Sequence, residues 1–387
     1  FSPSLSAEVI LDAFFLHALL KWTRKQPEAP TLCLPHRGTQ RSRLHAAMER
    51  RNQHMAGTGQ DQWAHACDGC SKVRKDTQGR SFRITACVMD GVCIGHPCCA
   101  YKDDDGVPCR LPLLHTQDQF CPQHVAQNLI CAVRTCILPR SIPFQTCETP
   151  SHRALEAALP QPGSSMMQLL ERRERNRSFQ AARRTGSDST AVSTPAPGPS
   201  HGRGRGKAKS AKTKAVFRRT FTHNEQLIVR PCGIIVARCT MYQAEAVSGA
   251  KEFVMRTFPE THPGSKPTYL FYDNNCQLHA YIAAPGHPKV QEYWECIHKP
   301  VDVFHFFCKH AETDILCQTY CNPALFPDLM ENGKWTFNTS AAEQVNAWLV
   351  HFKTVVREME ETRYNFFLDE IISLRNETTV RNLEKKG

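Results

Sequence analysis

The sequence predicts an α/β fold in which helices cover a largely buried sheet. Short apolar segments typical of strands alternate with segments whose apolar residues recur every three or four positions, as they do in helices. Two of the strand-like segments end on an aspartate, and one helix-like segment carries a glutamate in its first turn. The chain has 387 residues and a hydrophobic content of 41%, which suits about two or three domains with sizeable cores.

Four segments are predicted along the chain. Residues 1–60 form an N-terminal helical region, and residues 61–150 hold a cysteine cluster together with the first strand of the sheet. Residues 151–215 form a basic linker, and residues 216–387 complete the α/β core with a long C-terminal helix. The apolar stripe of the first helix consists of Val9, Phe14, Leu16, Leu19 and Leu20. Strands are predicted at 82–91, 232–237, 268–273 and 301–306, and helices at 244–258 and 340–374.

The linker differs from the rest of the chain in composition. Residues 171–220 contain 14 Lys and Arg and 3 Asp and Glu, so this stretch alone accounts for the formal net charge of +11. Proline, glycine and serine dominate it, and residues 176–214 are therefore predicted to be disordered. The tract GRGRGKAK at 202–209 is typical of nucleic-acid binding or nuclear targeting. Such a tail favours an anionic polymer as partner, and the alternative is a linker that its charge keeps solvated.

The chain contains 19 cysteines, most of them close in sequence to histidines or to other cysteines. This pattern favours zinc in a reducing compartment over secreted disulfides. No signal peptide or membrane span is predicted, because the first apolar stretch is interrupted by Asp12 and His17 and no run reaches roughly 18–20 apolar residues. The chain begins with Phe1 instead of methionine, so a fragment of a longer protein is expected.

Three acids are the candidate catalytic residues. Asp90 and Asp273 each follow a predicted strand, and Glu343 lies in the first turn of a predicted helix. Two strand-end aspartates followed by a helical glutamate are what an RNase H-like strand-transfer core needs, because such a site holds two divalent metals about 3.5–4 Å apart on carboxylate oxygens.

Each acid also has a purely structural explanation. A strand-terminal aspartate often only stabilises a turn. Ser340 and Glu343 have the spacing of a capping box, in which the glutamate bonds to the backbone of the capping residue. The run at 103–105, three consecutive aspartates, is a competing source of the first acid.

One cysteine and histidine set has the spacing of a complete zinc site. Cys121, His124, Cys131 and Cys136 fall within sixteen residues, and zinc prefers four such ligands in a tetrahedron. A closed zinc site would stabilise this loop-rich segment, whose own core is small.

Two further sets are less complete. Cys67 and Cys70 form a half-site whose partners are Cys98, Cys99 or Cys109, a choice that the sequence leaves open. The remaining candidate ligands follow the second aspartate and are His305, His310, Cys317 and Cys321. For His305 the alternative is a histidine on the outer face of a strand, without metal.

Four segments resemble the Kyakuja–Dileera–Zisupton (KDZ) transposases. Residues 270–277 (LFYDNNCQ) resemble the second-aspartate motif of that family, and residues 302–310 (DVFHFFCKH), with Cys317 and Cys321, resemble its downstream His/Cys stretch. Residues 338–346 (NTSAAEQVN) resemble the region of the third acid. Residues 88–99 (VMDGVCIGHPCC) resemble the cysteine-cluster segment associated with the family.

The resemblance covers roughly 60–140 and 217–376, and it implies an RNase H-like fold with Asp90, Asp273 and Glu343 as catalytic acids. The implied activity is DNA strand cleavage and transfer with Mg²⁺ or Mn²⁺, beside structural Zn²⁺. The expected partners are DNA, at transposon ends and at the target, and a second copy of the chain, and the expected location is the nucleus. The rival interpretation is a decayed or domesticated transposase that acts as a zinc-containing module for binding nucleic acid or protein.

Overall fold

The structure is a computed structural model, and the residues it describes are 6–27, 31–159, 215–311 and 313–385. The predicted disordered stretch at 176–214 lies outside the described residues. The chain divides into two compact units, one made of Phe1–Pro122 and Arg219–Gly387 and the other of Gln123–Arg218. None of the helices among the described residues combines the length and the apolar character that crossing a bilayer requires.

The regular elements are numbered in chain order. The strands are β1 (Ser71–Lys75), β2 (Ser81–Val92), β3 (Pro97–Cys98), β4 (Thr220–Phe221), β5 (Asn224–Val229), β6 (Ile235–Met241), β7 (Tyr269–Tyr272), β8 (Met330–Glu331) and β9 (Lys334–Trp335). The α-helices are α1 (Ala7–Arg24), α2 (Gln40–Met55), α3 (Pro150–Ala157), α4 (Val247–Thr257), α5 (Asn275–Ala283), α6 (Pro288–Trp294), α7 (Val303–Lys309), α8 (Ile315–Tyr320), α9 (Ala341–Leu349), α10 (Lys353–Val356) and α11 (Glu361–Glu384). Short 3₁₀ helices occupy Pro122–Leu129, Pro323–Leu325, Pro327–Leu329 and Val350–Phe352.

The main sheet of the first unit is organised around the long strand β2. The order β1–β2–β5–β6 is antiparallel throughout, while β7 pairs with β2 in parallel. β1 pairs with the first part of β2, and β5 pairs with its last part. The parallel register aligns Met89 with Tyr272, so the next residue on each strand is an aspartate.

Both faces of β2 are buried, because its side chains alternate between two apolar cores. Ala86 and Val88 belong to the core that also contains residues of α1, α2, α9 and α11. Cys87 and Met89 belong to the core formed with α4, α5 and α6. The sheet is therefore covered on both faces, as the sequence predicts.

A buried charge network fastens α11 to the sheet. Arg238 on β6 lies 2.7 Å from Asp369 on α11 and 3.1 Å from Glu225 on β5. Asn376, also on α11, accepts a hydrogen bond from the backbone N–H of Ile235 and donates one to its carbonyl. These contacts pair polar groups that would be costly to bury alone.

The structure corrects five predictions about the elements. Residues 301–306 do not form a strand: α7 begins at Val303, and Asp302 caps it by accepting a hydrogen bond from the N–H of His305. The predicted helix at 340–374 is broken, because Glu360 adopts an extended backbone before α11. β2 continues beyond Asp90 to Val92, because β5 pairs with it that far.

The remaining two differences concern the predicted strand at 232–237 and the N-terminal stripe. β6 begins only at Ile235, and Cys232 lies in the turn before it. In α1 the buried residues are Phe15, Ala18, Leu19 and Thr23, whereas Val9 and Leu20 are exposed.

Candidate acid site and Cys/His clusters

Asp90 and Asp273 lie beside each other at one edge of the sheet. They directly follow the paired residues Met89 and Tyr272 on neighbouring parallel strands. Both aspartates line a cavity of about 540 Å³, together with two further acids, Glu245 and Asp314. The strand pairing therefore brings two carboxylates that are distant in sequence to one polar cavity.

Glu343 approaches this site from helix α9. Asn346, one turn later on the helix, donates a hydrogen bond of 2.8 Å to Oδ2 of Asp90. The capping box does not form, since the side chain of Ser340 makes no capping hydrogen bond. Asn338 instead accepts a hydrogen bond from the N–H of Ser340. Glu343 is consequently free of the capping role that the sequence allows.

His305 connects the second and third acids. Its Nδ1 lies 2.7 Å from Oδ1 of Asp273 and 3.2 Å from Oδ2 of Asp302, and its Nε2 lies 3.2 Å from Oε1 of Glu343. His305 and Asp302 are buried, and Oδ1 of Asp302 has no hydrogen-bond partner. Asp302, His305 and Glu343 also bring one ligand atom each within 4.8 Å of one another, a spacing that can hold a metal ion.

Burial raises the pKa of Asp90 from its usual 3.8 to about 6, and the nearby charges of Asp273 and Glu245 add to this shift. The hydrogen bonds from the N–H of Gly91 and from Asn346 act in the opposite direction, because they stabilise the charged form. Burial and the neighbouring carboxylates therefore both disfavour the charged form of Asp90, which a bound cation would stabilise.

Glu245 is a site residue that sequence reasoning missed. It precedes α4, and its carboxylate accepts hydrogen bonds from Asn224 (3.2 Å) and Gln226 (3.2 Å), both on β5. These two side chains pack against Gly91, where a Cβ atom would lie 2.0 Å from Nδ2 of Asn224. Only glycine fits beside these two side chains. Gly91, which directly follows Asp90, therefore leaves room for the two residues that hold the carboxylate of Glu245.

The competing aspartates at 103–105 lie in an exposed loop. Oδ1 of Asp103 accepts a hydrogen bond of 2.7 Å from the N–H of Val107, which is a typical turn contact. Asp90 is the acid that lines the cavity with Asp273.

Cysteines and histidines gather in several clusters, and their membership differs from the predicted sets. Cys67 and Cys70 lie with His65 and Cys232, which we call the turn cluster. Cys98 belongs to none of the clusters among the described residues, and burial raises the pKa of its thiol to about 11. The predicted half-site is thus completed by residues other than the three candidates.

The predicted set at 121–136 is divided between two clusters. Cys99, Cys109 and Cys121 bring their sulfur atoms within 4.8 Å of one another in the first unit. The Sγ atoms of Cys109 and Cys121 are 3.8 Å apart. His124 follows Cys121 by three residues and belongs to the second unit.

The other half of that set forms the second-unit cluster, which consists of Cys131, Cys136, Cys147 and His152. Nδ1 of His152 lies 3.3 Å from Sγ of Cys147 and 3.6 Å from Sγ of Cys131. The side-chain hydrogen bond between Cys147 and Thr149 is the largest cause that lowers the pKa of Cys147 to about 6, and thiolates are the form that binds metal.

The last predicted set is also rearranged. His310 and Cys317 lie with Cys276, and Nδ1 of His310 is 3.2 Å from Sγ of Cys317. Cys321 is fully buried beside Cys317 in a small apolar cluster, and burial raises the pKa of its thiol to about 12. His305 lies at the acid site instead.

The spacing of these atoms suits zinc. Tetrahedral zinc with Zn–S bonds of about 2.3 Å places its sulfur ligands about 3.8 Å apart. The Sγ–Sγ distances are 3.8 Å for Cys67 and Cys70 and 3.8 Å for Cys136 and Cys147. The clusters are therefore consistent with zinc binding.

Comparison with family models matched residues 88–158 to the family described as "CxC6 like cysteine cluster associated with KDZ transposases". Comparison with curated proteins and with solved structures gave no match. The matched segment includes Asp90 and the cysteines from Cys93 to Cys147. Residues 88–158 are thus a CxC6-like cysteine cluster of the kind associated with KDZ transposases, and this match supports assignment of the chain to the KDZ transposases.

Proposed function

We propose that this chain is a transposase that cleaves and transfers DNA strands, with Asp90, Asp273 and Glu343 as the acids of a two-metal site. The observation that carries the proposal is the pairing of β2 with β7, which sets two aspartates side by side at a polar cavity. The link to KDZ transposases supports DNA as the substrate.

We also infer that the first unit has an RNase H-like core. The inference is supported by the order of its parts: a central strand with the first acid, two antiparallel strands, a helix, a parallel strand followed by the second acid, and a later helix with the third. The second unit is inserted in sequence between the first and second of these strands.

The acids fit divalent ions by their chemistry. Carboxylate oxygens are preferred ligands of Mg²⁺ and Mn²⁺. Burial is the main cause of the raised pKa of Asp90, and the nearby charges of Asp273 and Glu245 add to it, so a bound cation would stabilise the charged form. When bound, such ions supply Lewis-acid activation of water or a 3′-hydroxyl and stabilise the leaving oxygen at the phosphate. Asp90 and Asp273 would hold them jointly, and Glu343 would complete the ligand set of one.

His305 and Asp302 would act as positioning residues. Asp302 caps α7, and its Oδ2 lies 3.2 Å from Nδ1 of His305, while Nε2 faces Glu343. The charge of Asp302 would thereby favour this orientation of the ring. A carboxylate that orients a histidine in this way is a common support of metal sites. The pair would hold Glu343 toward Asp273 before the ions bind.

DNA would be held largely through its phosphates. The basic residues at 171–220 supply the charge for this, and such binding weakens steeply with salt. Action on DNA in this way would place the protein in the nucleus, where pairing of two transposon ends would suit a homo-oligomer.

The proposal is tested with the whole 387-residue chain, purified without chelator. Asp273→Asn and Glu343→Gln should weaken Mn²⁺ binding, measured by calorimetry, by about tenfold or more, because each removes an anionic ligand. Mn²⁺-dependent cleavage of candidate terminal-repeat DNA should fall with it. Glu292→Gln, an exposed acid on α6, is the matched control and should change neither quantity.

Glu343→Gln should also leave the free energy of unfolding within about 0.5 kcal/mol of the original, since it is a substitution away from the core. If both acid variants keep full Mn²⁺ affinity, the catalytic proposal fails. The alternative of a zinc-containing binding module would then account for the chain.

A further inference from the structure

We propose that His65, Cys67, Cys70 and Cys232 bind one zinc ion that cross-links the start of β1 to the turn between β5 and β6. This inference is independent of the proposed catalytic function. Cys67 and Cys70 are a predicted half-site, but His65 and Cys232 belong to none of the predicted sets. All four residues lie outside the segment that matches the cysteine-cluster family.

The four ligand atoms are already gathered. Nδ1 or Nε2 of the histidine and the three Sγ atoms lie within 4.8 Å of one another. The Sγ atoms of Cys67 and Cys70 are 3.8 Å apart, as expected for two sulfur ligands of tetrahedral zinc. Three sulfurs and one imidazole nitrogen are a common structural zinc set, closed to further ligands.

Backbone hydrogen bonds hold Cys67 and Cys70 close together in a tight turn. The N–H groups of Cys70 and Ser71 both donate to the carbonyl of Cys67, and the N–H of Cys67 donates to Sγ of Cys70. A Cβ atom at Gly69 would lie 3.1 Å from Cβ of Cys232 and 3.6 Å from Sγ of Cys67. The absence of a side chain at Gly69 allows the two segments to approach.

Cys232 is presented by a tight turn. The N–H of Arg230 donates to the carbonyl of Ile234, the N–H of Gly233 donates to the carbonyl of Arg230, and Gly233 has a φ of +91°. This positive φ favours glycine, so the turn that carries Cys232 is built around it.

The charge of the site is also balanced. Zinc with three thiolates and a neutral imidazole carries one net negative charge. The guanidinium of Arg230 is buried close by, only 7% exposed, and its Nε has no hydrogen-bond partner. A buried cation needs a compensating anion, and the zinc–thiolate group would supply it.

The cross-link closes a loop of about 160 residues, so the gain from restricting the unfolded chain is large. The cross-link lies at the point along β2 where pairing with β5 ends and pairing with β1 begins. At this point the N–H of Ala86 donates to the carbonyl of Cys70. The zinc ion would therefore hold the sheet together at a junction between strands.

The test is the zinc content of the full chain, measured by elemental analysis, with cobalt spectra as a second readout. Cys232→Ser should lose one zinc per chain, and Cys33→Ser, which removes an exposed cysteine outside the clusters, should lose none. His65→Cys should keep the zinc and strengthen the thiolate-to-cobalt absorption, because it adds a fourth sulfur.

Two results would overturn the inference. One is an unchanged zinc content and cobalt spectrum in Cys232→Ser. The other is a Cys70–Cys232 disulfide found by mass spectrometry of protein purified under reducing conditions. If Cys232→Ser does not fold, the His65→Cys spectrum decides, and an unchanged absorption would refute the site.

Discussion

Asn346 donates a hydrogen bond of 2.8 Å from its side-chain amide to Oδ2 of Asp90, and so joins the helix that carries Glu343 to the strand that carries the first aspartate. The two residues are far apart in sequence, but they share one face of the site. This bond stabilises the charged form of Asp90, in opposition to its burial.

Asn346→Ala should therefore weaken divalent-metal binding without removing a ligand. Loss of one buried hydrogen bond to a carboxylate is worth about 1–2 kcal/mol, which corresponds to a roughly tenfold higher Kd for Mn²⁺. Calorimetric titration measures this. Gln344→Ala, an exposed neighbour on α9, is the control, and an equal effect in both variants would show that the helix and not the bond is responsible.

Asp90→Asn should stabilise the protein in the absence of added Mg²⁺ or Mn²⁺. The folded-state pKa of Asp90 is raised, so the folded protein keeps this proton to higher pH than the unfolded chain does. The carboxyl group therefore costs stability progressively between about pH 4 and pH 6, and the cost is complete above that range. Asparagine does not titrate, so the variant should gain about 1–3 kcal/mol at pH 7.

Thermal unfolding at pH 5 to 8 measures this difference, in buffer without chelator so that the zinc clusters are kept. The gain should grow from pH 5 to about pH 6.5 and then level off. A difference that does not change with pH would contradict the burial of a titrating Asp90.

Asn275→Ala should destabilise the first unit by about 2–3 kcal/mol. Asn275 is fully buried, and its amide donates to the carbonyls of Leu270 and Pro300, both at 2.7 Å. The change leaves these buried carbonyls without their donor and loosens the loop that begins with Asp273. Denaturant unfolding measures the loss, and Asn274→Ala, which is half-buried, should cost less than about 1 kcal/mol.

Cys147→Ser should remove one zinc ion and unfold part of the second unit. The buried apolar cluster there consists of Cys131, Val133 and Cys147, so most of its members depend on the metal site. Hydrogen exchange should lose protection between residues 131 and 155, where a small core cannot hold the chain alone. Cys98→Ser, a buried cysteine outside the clusters, should leave zinc content unchanged.

Deletion of residues 176–214 should weaken DNA binding and reduce its salt dependence. The deletion removes nine Lys and Arg and one Asp. Each lost phosphate contact should make the slope of log K against log salt shallower by about 0.9. Fluorescence anisotropy from 50 to 300 mM salt, roughly the range over which such effects are visible, measures it. An unchanged slope would assign the contacts to the folded units.

Local patterns predicted the sheet well where strands are buried. β2, β7 and α4 match their predicted positions closely, because alternation and apolar periodicity are local properties. The same reasoning failed at 301–306, where alternating Val and Phe residues suggest a strand. Asp302 was the available signal, since aspartate is a preferred N-terminal cap of helices.

The candidate site was predictable only in part, for a different reason. Cys232 and Glu245 are isolated in the sequence, and each joins its site through pairing of distant segments. Spacing rules cannot find such ligands, because they assume that ligands are neighbours in the chain. The opposite error occurs in the set at 121–136. These residues are close in sequence, but Cys121 lies in a different cluster from Cys131 and Cys136.

The pairing of Asn376 with Ile235 has a consequence for self-association. β6 is the last strand in its sheet order, and an outer strand with open backbone groups is a template for pairing with another chain. The amide of Asn376 occupies both the N–H and the carbonyl of Ile235, as a neighbouring strand would. While α11 stays docked, this part of the outer strand cannot recruit a strand from a second molecule, so the C-terminal helix also protects the sheet against aggregation.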